Sequence, residues 1–164
     1  MAFFDMVCNE WLLKPLKSVA RCAKACARRP SVNGTSEMNI IGEIENRLKK
    51  YPRLLTVVKA NSISVKPENG FTVWATENGG SCTVGFEGWH DEFTDPEEAF
   101  SCFAWGLSKE CRLEVTTRGG KPHKWVAQSL ENGQWINSST TGLIFFPFWR
   151  RAKIIYKQNA VINS

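Results

Sequence analysis

Residues 95–107, DPEEAFSCFAWGL, hold the clearest helix start in the chain. Asp95 offers a side-chain acceptor at the N-cap, Pro96 presets the first turn, and a glutamate follows where its carboxylate can reach back to the cap. Phe100, Phe103, Ala104 and Leu107 then recur at i, i+3, i+4 and i+7, which is one apolar stripe of a helix. On both sides of this segment the chain alternates between short apolar or β-branched runs and turn residues. A helix in that position makes the element order helix, strands, helix, strands, and so predicts an α+β fold.

Working upstream, residues 54–60, 62–66, 71–77 and 81–87 read as strands, broken at Glu68-Asn69-Gly70 and Asn78-Gly79-Gly80. Before them, Ile40, Ile41, Ile44 and Leu48 form the buried stripe of a first helix, with Ser36 as its expected N-cap and Lys49, Lys50 and Pro52 closing it. Downstream, residues 111–118, 121–131, 134–140 and 152–158 read as a second set of strands, turning at Gly119-Gly120 and Asn132-Gly133. The expected architecture is a curved antiparallel sheet of two β-meanders with two packed helices, preceded by a basic amphipathic helical arm.

The arm is defined by charge. Of the +5 net charge of the 164-residue chain, most lies before residue 36, where six bases face two acids, while from residue 36 onward fifteen bases face fourteen acids. Lys17, Arg21, Lys24 and Arg28 recur every three or four residues and line one helical face, and Arg29-Pro30 ends that helix. This divides the chain into an arm and linker over residues 1–35 and a single α+β domain over residues 36–164. The arm bases are candidate contacts for an anionic membrane, nucleic acid or an organellar import system, with a solvated helix docked on the body as the plain alternative. Met38 stands almost at the start of the first body helix, so the arm is also readable as an upstream extension.

Charge and motif usage narrow the function classes. The near-neutral body argues against nucleic acid as its partner. The first apolar stretch is interrupted by Asp5, Asn9 and Glu10, and no stretch approaches the ~20 apolar residues of a membrane span, so a soluble cytoplasmic protein is expected, with peripheral membrane or organellar placement through the arm as the alternative. Without a secretory route, the sequons at Asn33 and Asn137 carry no weight, and the six cysteines are read as reduced. Neither zinc spacing nor a nucleophile elbow, phosphate loop or dinucleotide fingerprint occurs, so no metal and no cofactor is expected.

Two groups remain. Trp89-His90-Asp91-Glu92, read as a loop before the Asp95 helix, together with His123 on a later strand, are the candidate acid/base residues of a small enzyme. Phe145-Phe146-Pro147-Phe148-Trp149-Arg150-Arg151 is the densest aromatic-basic stretch, and Pro147 bars it from a regular central strand. Its rings, like Trp74, Trp125 and Trp135, are expected to close the core. Exposed instead, Phe148, Trp149, Arg150 and Arg151, with Trp89, would form a surface for a protein or small-molecule ligand. The residues favour such a binding or interaction module, using that surface or a sheet-lined pocket, over the enzyme near His90 and over membrane attachment through the arm.

Overall fold

The structure, a computed structural model, describes residues 39–162. The arm, with Lys17, Arg21, Lys24 and Arg28, and the expected cap Ser36 lie outside the described residues. Elements follow in the order α1 (Ile40–Leu48), β1 (Leu55–Lys59), β2 (Ser62–Lys66), β3 (Val73–Asn78), β4 (Ser81–Phe86), β5 (Trp89–Phe93), α2 (Pro96–Leu107), β6 (Cys111–Arg118), β7 (Lys121–Glu131), β8 (Gln134–Gly142) and β9 (Ala152–Gln158). The fold is thus mixed helix and antiparallel sheet, as the element order predicts.

The strands build two sheets rather than one curved one: a five-stranded meander, β1-β2-β3-β4-β5, and a four-stranded sheet ordered β8-β7-β6-β9. Residues 89–92, expected as a loop, belong with Phe93 to the fifth strand of the first sheet, with Trp89 paired to Phe86 and Phe93 to Cys82. Trp89 and Phe93 both face the core, which is what turns a polar-looking segment into a strand. The second sheet is not a simple meander. After β8 the chain crosses to the far side of β6, where Tyr156 pairs with Glu114 and Ile154 with Thr116.

α1 buries the whole stripe its spacing predicts, and α2 buries its stripe apart from Ala104, which is half-buried. Ile40, Ile41, Ile44 and Leu48 of α1 are all buried, and Phe100, Phe103 and Leu107 of α2 likewise. Asp95 caps α2 by accepting from the Glu97 N–H at 2.9 Å. The cap of α1 is Asn39, whose Oδ1 accepts from Gly42 N–H at 3.0 Å, and Glu77 at the end of β3 accepts from the Ile40 and Ile41 N–H groups. A carboxylate at a helix N-terminus satisfies orphan donors and opposes the positive end of the dipole. The helix starts at residue 40 because β3 supplies that carboxylate.

One core joins both sheets and both helices. Phe86 is its centre, stacked on Trp89 at 4.5 Å between centroids and edge-on to Trp105 at 5.6 Å. Asn159, just after β9, ties three elements together: its Nδ2 donates to the carbonyls of Phe71 (3.1 Å) and Gly106 (2.8 Å), and its Oδ1 accepts from Phe71 N–H (3.1 Å). Where the sheets meet, the β4–β5 turn lays Gly88 against the Trp125 indole, and Glu87 pairs with Lys157 at 2.6 Å. No described helix is long and apolar enough to cross a membrane.

Candidate functional site

The strand order of the second sheet creates its most unusual feature. Because β9 lies beyond β6, residues 143–151 must pass over the β6–β7 hairpin to join β8 to β9. That hairpin turns at Gly119-Gly120, both at positive φ (58° and 80°), so it is narrow and the connection runs close over it. Arg118, the last residue of β6, donates through Nη1 to the carbonyls of Phe148 (2.8 Å) and Arg150 (2.6 Å). Leu143 N–H donates to His123 O at 2.8 Å, and Arg150 N–H closes a turn onto Pro147 O at 3.0 Å. Phe146 stacks on the buried His123 ring at 4.4 Å. Phe146 alone of the loop's rings is folded back to hold it down.

The remaining large side chains face outward, contrary to the expected core role. Leu143 is 54% exposed, Ile144 87%, Phe145 93%, and Phe148 and Trp149 72% each. Taking about 200 Å² for a fully open large residue, these five present roughly 750 Å², most of it apolar, more than the ~300–600 Å² of the largest patch on a typical monomer. The physical reason is topological: the core below is already closed by Val115, Trp125 and the β4–β5 turn. Between loop and hairpin lies an open groove of about 730 Å³, lined by the loop together with Arg118, Gly119 and Lys121.

Charge reinforces the contrast. Lys124 begins a strand pair with Gly142, and Lys153 pairs with Thr117, so Lys124, Lys153, Arg118, Lys121, Arg150 and Arg151 all belong to this end of the second sheet. The sequence contains no acid between residues 115 and 130 and none after Glu131. A body that is near neutral in sum therefore carries six bases at one end with no acid among the residues that build it.

Other predicted site residues fall elsewhere. Trp89 is 0% exposed and stacked on Phe86, so it belongs to the core and not to a contact surface. His90 is exposed on β5, while His123 is buried on β7 beneath Phe146; among the described residues no hydrogen bond or ring contact joins them. Glu92 accepts from Ser81 Oγ at 2.6 Å. Burial holds the Asp91 carboxyl above its ordinary range, against the smaller opposing effects of the Glu92 N–H and His90. Burial, and then the charge of Glu77, push the Cys82 thiol up to about 11, away from thiolate chemistry. Among the described residues no three His, Cys, Asp or Glu side chains are grouped to hold a metal ion. Trp125 is buried as expected, whereas Trp74 and Trp135 are half-buried.

The outer face of the second sheet offers a second surface, already occupied by its own side chains. Arg112 lies between Trp135 (4.3 Å) and Tyr156 (4.4 Å) and donates to Gln128 Oε1 at 2.9 Å. Gln128 Nε2 in turn donates to Asn137 Oδ1 (2.8 Å) and Glu114 Oε2 (3.3 Å). Those polar groups are spent on one another; Ile136, Ile154 and Tyr156 of this sheet and Leu55, Val57 and Val58 of β1 are also exposed, but the loop of residues 143–151 carries the most exposed large apolar side chains of the described residues, Phe145 and Ile144. The loop's Leu143 and Ile144 and the hairpin's Arg118 and Lys121 did not stand out in the sequence; the absence of acids between residues 115 and 130 and after Glu131 is the signal that would have drawn attention to them. Comparison with known protein families, with curated proteins and with solved structures returned no match, so function is inferred from geometry alone.

Proposed function

We propose that this protein is a binding module whose contact surface is the crossover loop of residues 143–151 and the basic hairpin beneath it. The supporting observation is the exposure of five large apolar side chains in seven consecutive positions, held in place by the Arg118 bonds and the Phe146–His123 stack. Exposed rings and aliphatic chains cost solvation free energy that the isolated protein does not recover. A loop already pinned by its own fold loses little further entropy when a partner covers it.

A photo-cross-linking phenylalanine analogue at position 145 of the full chain, irradiated in cells, tests this reading. The same analogue at Glu98, exposed on α2, is the control. Lipid, protein or nucleic-acid adducts concentrated at position 145 are expected. Equal labelling at both positions would overturn the proposal.

A further inference from the structure

Resting on that reading of the loop, we infer that its occupant is an anionic bilayer surface, into which Leu143, Ile144, Phe145, Phe148 and Trp149 insert while the surrounding bases contact headgroups. The loop has the layered chemistry such a surface requires. Ile144 and Phe145 are the most exposed apolar residues, and aliphatic Leu143 and Ile144 have no flat face to offer a nucleobase. Phe148 and Trp149 stand edge to face at 86° with centroids 5.1 Å apart, so they do not form a parallel platform for successive bases either. Hydrocarbon accepts all five side chains without demanding such geometry, and tryptophan favours the interfacial zone in particular.

The bases complete the match. Arg150 and Arg151 directly follow the apolar run, and Arg118 and Lys121 line the groove at its root. Juxtamembrane lysines and arginines are drawn to anionic leaflets over a distance set by salt screening, and the segments that carry these bases, residues 115–130 and those after Glu131, contain no acid. Attachment through this loop is interfacial rather than a span of the bilayer. The loop would therefore act as an insertion wedge, separate from any contribution of the arm.

The test uses the full chain with vesicles of phosphatidylcholine alone or mixed with phosphatidylserine, with bromine on the acyl chains. Binding is read by co-sedimentation and insertion by quenching of tryptophan fluorescence. Binding to the mixed vesicles should fall about tenfold or more in I144S/F145S and about thirtyfold in R150Q/R151Q. Trp149→Phe should bind but lose most of the quenching, whereas K17Q/R21Q/K24Q/R28Q in the arm should leave the quenching intact. Unchanged binding in I144S/F145S, or full quenching in Trp149→Phe, would overturn the inference. A single-stranded oligonucleotide bound in place of vesicles, and lost in I144S/F145S, would reassign the surface to nucleic acid. Failure of vesicle binding with protein adducts still concentrated at position 145 would sink the bilayer assignment and leave the contact-surface reading standing; failure of both would remove both.

Discussion

Replacing Asn159 by alanine should be the most damaging single truncation outside the apolar core. Asn159 is 0% exposed and makes three hydrogen bonds to main-chain groups of Phe71 and Gly106, neither of which lies where a strand ladder or the helix interior supplies a substitute. Phe71 precedes β3, and Gly106 is in the last turn of α2, where carbonyls lack intrahelical donors. Leaving one buried polar group unpaired costs about 1–3 kcal/mol. Three such groups give an upper range near 9 kcal/mol, but the vacated volume is close to that of one water, which can restore part of the bonding. The expected loss is therefore about 3–5 kcal/mol, a large share of the ~5–15 kcal/mol by which domains of this kind are stable. Urea unfolding followed in parallel by tryptophan fluorescence and far-ultraviolet circular dichroism measures it. Asn159→Asp should not rescue, because a carboxylate would face the two carbonyls that the amide now serves. A loss below about 1 kcal/mol in Asn159→Ala would refute the reasoning, since it would mean that those main-chain groups find other partners.

Three further outcomes follow from particular contacts. Gly106→Ala should destabilise by about 1–3 kcal/mol in the same unfolding assay, because its Cβ would lie 2.2 Å from Phe86 Cε1; the clash outweighs the ~1 kcal/mol that alanine gains over glycine within a helix. Asp91→Asn should raise the melting temperature at pH 7 and not at pH 3. The folded state holds the Asp91 proton above the ordinary value of 3.8, so the carboxyl's contribution is intact below that value and is lost as pH rises through it toward the folded pKa. I144S/F145S should shift unfolding free energy by less than about 0.5 kcal/mol, since both side chains are nearly fully exposed; a larger loss would place them in the folding core.

Much of the architecture was legible because it is local. The stripes of both helices, the limits of Ser62–Lys66, Cys111–Arg118, Lys121–Glu131 and Ala152–Gln158, and the Asp95 cap all follow from periodicity and turn residues within a few positions. What escaped depends on distant partners. The start of α1 is capped by Asn39, and its first donors are also served by Glu77, thirty-seven residues from Ile40, a partner that no local reading supplies. Residues 89–92 read as a loop until β4 pairs with them, Phe86 against Trp89 and Thr83 against Glu92. The loop was misjudged for the same reason: large apolar residues are usually interior, and only the placement of β9 beside β6 carries residues 143–149 over a hairpin whose underside is already filled. The near-neutral sum of the body hid its uneven distribution, with six bases gathered at one end.

The exposure of that loop is tested most directly by fluorine NMR of the full chain labelled with 5-fluorotryptophan, with each signal assigned by single tryptophan-to-phenylalanine replacement. Trp149 should show a full solvent isotope shift between H₂O and D₂O, and Trp89, enclosed by Phe86 and its neighbours, none. A Trp149 signal as insensitive to solvent as that of Trp89 would mean the loop is packed against the body, and the contact surface would not exist.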